Sequence, residues 1–64
     1  MKTNNLYNLM TQMTEEAKSV WRIEKHYLDE AGSEEERIFW KTLLQEKENS
    51  IRELKELVRK EIAK

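Results

Sequence analysis

The stretch Ala31-Gly32-Ser33-Glu34-Glu35-Glu36 decides the fold, because the sequence on either side of it reads as helix. Gly32 is the only glycine of the chain, and there is no proline. A lone glycine after a long periodic run predicts a helix that ends in a left-handed residue, where the missing Cβ removes a clash. Ser33, with Glu36 three residues on, predicts a capping box in which the hydroxyl accepts from the backbone amide and the carboxylate reaches back. One helix therefore stops and another starts within about two residues. So short a connection forces the pair to lie antiparallel.

Working upstream, apolar residues recur at Leu6, Met10, Met13, Ala17, Val20, Tyr27 and Ala31, in steps of four and three with one interruption. That spacing predicts a helix over about residues 5–31 with one face turned to a neighbour. Leu9, Trp21 and Leu28 flank the line and widen it to roughly 120°, more than a two-helix seam needs. Asn4 or Asn5 is the expected N-cap, and Thr14-Glu15-Glu16 is a rival helix start. A hairpin centred on Gly32 sets Ile51, Leu54 and Val58 opposite Met13, Met10 and Leu6, which favours one long helix with any kink near Thr11–Thr14.

Downstream, Trp40, Leu43, Leu44, Ile51, Leu54, Val58 and Ile62 share one face of a helix over about residues 34–62, with Phe39 and Leu57 beside them. The far face carries Glu48, Arg52, Glu56 and Lys60, a ladder of alternating sign whose pairs each contribute about 0.3–0.5 kcal/mol. Arg59, Lys60 and Lys64 complement the negative end of the helix dipole. The chain thus reads as all-α, an antiparallel two-helix hairpin.

A chain of 64 residues bounds a single small domain, one that buries only roughly 60% of its unfolded surface. It has no cysteine, so neither a disulfide nor a thiolate site exists. Charged residues make up 39% of the chain yet nearly cancel, to a net charge of -1. That balance argues against a nucleic-acid partner, which calls for a basic excess on one face. No apolar run approaches the roughly 20 residues of a membrane span, and the polar start Met1-Lys2-Thr3-Asn4-Asn5 does not read as a leader. A cytoplasmic protein with no membrane partner is the expectation.

Helices of this length run about 40 Å, and a lone hairpin leaves much of both wide stripes in water. Because apolar burial is worth about 25 cal/mol per Å², pairing with a second copy is the expected remedy. The result is a homodimer forming a four-helix bundle. Its interface is expected to draw on Leu6, Met10, Met13, Val20, Trp21 and Tyr27 from the first helix. The second helix adds Trp40, Leu44, Ile51, Leu54 and Val58. A helix of another protein, docking on the same stripe, is the adaptor alternative.

Two charges fall within the stripes. Glu24 lies between Val20 and Tyr27, and Lys47 between Leu44 and Ile51. A carboxylate there must find a partner. The expected ones are the Trp21 or Trp40 indole, or Lys47, in a polar pair that sets register; the alternative makes Glu24 a metal ligand. Trp21, Tyr27, Phe39 and Trp40 cluster near the turn as core aromatics. No hydroxyl has a histidine placed to activate it, and His26 reads as a surface residue beside Lys25 and Asp29. The residues therefore predict a non-catalytic interaction module with no cofactor.

The segment Leu44-Gln45-Glu46-Lys47-Glu48-Asn49, followed by Ile51, Leu54, Glu56 and Leu57, resembles the metal-binding helix of the ferritin-like superfamily, rubrerythrin and encapsulated ferritins included. The resemblance implies that Glu46 matches the acid of that family's Glu-x-x-His, with Glu16 or Glu24 as the carboxylate from the preceding helix. Two hairpins would then enclose iron or manganese. Asn49 stands where the family has histidine, and an amide is a poor iron ligand beside imidazole. On this view the hairpin kept the bundle and lost the metal.

Overall fold

The computed structural model describes residues 3–64. Helix α1 spans Thr3–Arg22 and passes directly into a π-helical turn, Ile23–Tyr27; helix α2 spans Glu34–Ala63. The two pack against each other as a hairpin rod of 48 × 14 × 12 Å, with no strand among the described residues. Asn4 and Asn5 already lie inside α1, so neither is its N-cap, and α1 is unbroken through Thr11–Thr14.

The α1 face turned to α2 is Leu6, Leu9, Met13, Glu16, Val20 and Ile23, all at least half-buried. Those residues step by three and four without a break, the spacing of a narrow helix–helix seam. Opposite them, Arg37, Trp40, Leu44, Lys47, Ile51, Leu54, Val58 and Glu61 keep the same rhythm along α2 and are likewise sheltered. Ile23, which the expected line omitted, is the one buried apolar side chain among the described residues, at 1% exposure. Met10 and Ala17 fall on the flank, and both are exposed. A wide stripe facing a single neighbour must choose one line. The line ending in Ile23 brings a full-sized branched side chain to the loop end, and its one acid meets a lysine.

The π turn explains the interruption in the sequence pattern. The Leu28 amide donates to the Ile23 carbonyl five residues back, at 3.1 Å, and ordinary spacing resumes with Glu30 N to His26 O at 3.0 Å. A regular helix continuing the seam past Ile23 turns residues 27 and 30 inward and leaves Leu28 and Ala31 outside. One extra residue in the turn resets the phase, so Leu28 and Ala31 are both half-buried. Sheltering a leucine is worth about 1.5–3 kcal/mol when complete, which offsets the poorer geometry of a wide turn. Glu24, Lys25 and His26 are exposed.

The turn at Gly32 is held by Ser33 and Glu36 and not by a left-handed backbone. Ser33 caps α2, its hydroxyl accepting from the Glu36 amide at 3.2 Å, while Glu36 Oε1 accepts from the Gly32 amide at 2.7 Å. The expected reciprocal cap thus forms, with the carboxylate reaching one residue further back. No residue with described geometry has a positive φ, Gly32 included. The first arm ends instead by a tight bond from the Ala31 amide to the Leu28 carbonyl at 3.4 Å. That carbonyl also accepts from Arg37 Nη1 at 3.5 Å.

Two outcomes follow from this geometry. A Cβ at Gly32 meets the Glu36 carboxylate at an ordinary 3.4 Å, so Gly32→Ala should be neutral or stabilising by up to about 1 kcal/mol through the unfolded chain. Urea denaturation measures it, and a loss above about 1 kcal/mol would point to a left-handed residue. Deleting Lys25 should convert the π turn into regular helix while Leu28 and Ala31 keep facing α2. Helical circular dichroism and melting temperature should stay near wild type, whereas deleting Glu15 should collapse both.

Candidate functional site

The charged pair inside the seam is Glu16 and Lys47. Lys47 Nζ donates to Glu16 Oε2 at 3.0 Å, with side chains only 22% and 18% exposed. Both sit on seam positions, so each is fixed by the aliphatic residues a turn either side: Met13 and Val20 around the acid, Leu44 and Ile51 around the base. Sequence reasoning located Lys47 in the seam but gave it Glu24 as partner, which is exposed. The signal for Glu16 was present. The uninterrupted three-four spacing from Leu6 to Ile23 passes through it, and the hairpin register sets it against Lys47.

Charged groups also close both ends of the seam. Arg37, half-buried beside the turn, serves the Leu28 carbonyl and lies 3.5 Å from Glu34. Glu61, 7% exposed, meets Lys64 at 3.1 Å near the open end. Neither was singled out in the sequence, because each sits where an amphipathic pattern ends. The expected ladder on the outer face does not form as drawn. Glu48 is half-buried, Arg52 bonds to the Asn49 side chain, and Glu56 pairs with Arg59 at 2.8 Å.

Near the turn, Tyr27 and Trp40 lie 4.9 Å apart between ring centres, and Phe39 stands edge-on to Trp40 at 5.2 Å. Trp21 does not join them. It is 55% exposed and stands edge-on to His26 at 5.2 Å, itself a surface residue. Of the residues expected at an interface, Met10, Trp21 and Tyr27 remain exposed, and the others line the seam within the hairpin. An open hollow of about 470 Å³ is lined by Ser33, Glu35, Glu36, Phe39 and Trp40. A second, of about 330 Å³, is lined by Met13 with Lys55, Val58, Arg59 and Ile62.

The carboxylates named for a metal are dispersed. Glu16 is neutralised by Lys47, while Glu24 and Glu46 are exposed, and no cluster of three or more metal-ligating side chains occurs among the described residues. Asn49 accepts from Gln45 and Arg52. Within one hairpin this donor set does not fit a di-metal centre. No helix among the described residues is long and apolar enough to cross a membrane. No family model matches the chain, and no curated protein or solved structure is detectably similar to it.

The Glu16–Lys47 pair calls for a double-mutant cycle. Glu16→Leu or Lys47→Leu alone should cost roughly 1–3 kcal/mol, because each leaves a sheltered charge unpaired. The double substitution should recover most of that loss or exceed wild-type stability. Urea midpoints for the four proteins give the coupling directly; single variants that lose less than about 0.5 kcal/mol would place the pair among weak surface bridges.

Proposed function

We propose that the chain is a structural module that self-associates, two hairpins forming a four-helix bundle without catalysis. The observation that carries this reading is the near absence of a core. Ile23 alone among the described apolar side chains is buried, while Tyr7, Trp21, Ile38, Phe39 and Ile62 are each more than half exposed. The accessible surface is 5050 Å², against roughly 4,400 Å² for a compact monomer of this mass. The radius of gyration is 14.6 Å, against about 11 Å for a globule of equal length. The excess of roughly 650 Å² per chain approaches the ~800 Å² that each partner buries in a standard interface.

Two of the hydroxyls serve the backbone: Thr14 donates to the Met10 carbonyl of its own helix, and Ser33 caps α2. The one ion pair between the two helices among the described residues, Lys47 with Glu16, lies in the seam and holds the hairpin.

Sedimentation equilibrium at micromolar concentration should return twice the chain mass of 7.8 kDa. Melting temperature should rise with concentration, since association stabilises the folded form by mass action. A helical, cooperatively melting species at the single-chain mass, with a melting point independent of concentration, rejects the reading.

A further inference from the structure

A second line of spacing runs along α1 outside the seam. Tyr7, Met10, Thr14, Ala17 and Trp21 step by three and four, all are exposed, and none is charged. The line lies about a quarter-turn from the seam, where a corner helix of a four-helix bundle meets its other neighbour. Over 14 residues it covers about 21 Å. The hydroxyl of Thr14, at its centre, is bonded at 3.0 Å to the Met10 carbonyl, so its methyl group is what faces outward.

Both ends of this line are large, Tyr7 and Trp21, its centre Thr14 is small, and the large Met10 on one side of the centre is matched by the small Ala17 on the other. In an antiparallel pairing about Thr14, the large ends of one copy fall beside the large ends of the other, and Met10 falls on Ala17. The adjoining α2 row can also be reversed upon itself. Its residues follow the α2 seam positions by one, as those of the α1 line follow the α1 seam, and in an antiparallel pair that offset puts both on the same side of the hairpin. Reversed about the level of Ser50, opposite Thr14 in the hairpin, the row sets Ile38 against Ile62 and Glu48 against Arg52, each twice. Ile38 and Ile62 are 56% and 64% exposed. Lys41 falls near Arg59, whose charge is already met by Glu56 at 2.8 Å.

Building on the self-association reading, we infer that a second copy closes this face, turned end over end about a twofold axis between the two Thr14 residues. Tyr7 and Met10 of each chain then pack on Trp21 and Ala17 of the other, and Glu48 of each meets Arg52 of the other. The opposite flank, with Phe39 and Leu57 exposed among Glu46 and Glu53, stays in water. The α1 line carries no charge and so meets its own copy without repulsion. On the α2 row the Glu48–Arg52 exchange brings opposite charges together twice, while the Lys41–Arg59 approach is offset by Glu56 on Arg59.

The chain has no cysteine, so single-cysteine variants report the arrangement without background. Thr14→Cys should form an inter-chain disulfide on mild oxidation, because facing helices at 8–10 Å bring such Cα atoms within the 4.4–6.8 Å a disulfide needs, about. Ser50→Cys, on the other flank, should stay reduced. Separately, Glu48→Arg should weaken the dimer about tenfold or more, and Glu48→Arg with Arg52→Glu should restore it, circular dichroism confirming that each variant is folded. A monomeric wild type removes both this inference and the self-association it rests on. A dimer that cross-links at Ser50 and not at Thr14, or one indifferent to the charge exchange, overturns this face alone and leaves self-association standing.

Discussion

Two helices side by side can hide only one narrow strip of each from water, and that limit governs the molecule. A seam built on alternating three and four steps takes two positions of every seven. Everything apolar beyond those positions stays in solvent unless a third helix arrives. In this hairpin the seam shelters its residues only partly, leaving Ile23 as the single apolar side chain fully enclosed among those described. Stability must therefore come from continuity along the rod, since no single layer is deep.

That dependence accounts for the two irregular features of the fold. The π turn at Ile23–Tyr27 exists because the seam has to survive to the very end of the first arm. Losing Leu28 and Ala31 to solvent would leave the turn unsupported. The turn itself is closed by side chains: the Ser33 cap, the Glu36 carboxylate on the Gly32 amide and the Arg37 guanidinium on the Leu28 carbonyl. Each satisfies a backbone group that a helix end leaves open. Glycine is spared the left-handed conformation because these bonds already redirect the chain.

The ion pair at Glu16 and Lys47 belongs to the same logic. It occupies seam positions that hydrocarbon fills elsewhere, so it contributes less burial than two leucines. In exchange it discriminates among registers: sliding one helix by a turn separates the charges and leaves both sheltered without a partner. Along the middle of the seam, where the neighbours are interchangeable aliphatic residues, such a pair fixes which residues face each other. The flank that the register thereby presents, Tyr7 through Trp21 on α1, is set in place by the same pair.

The amino-acid sequence by itself determined the two helices, their antiparallel sense, the cap at Ser33 and the presence of a charge at Lys47 in the second stripe, because these depend on local periodicity and on end chemistry. It did not determine which line of the wide first stripe becomes the seam. Leu6-Met10-Met13-Ala17 and Leu6-Leu9-Met13-Glu16 are both admissible on one isolated helix, and the second wins only when Lys47 and the aliphatic residues of α2 stand opposite. The phase change at Ile23, the exposure of Glu24 and the dispersal of the carboxylates follow from that choice. They are decided in the tertiary structure, since the gain of burying a given side chain exists only once its neighbour is in place.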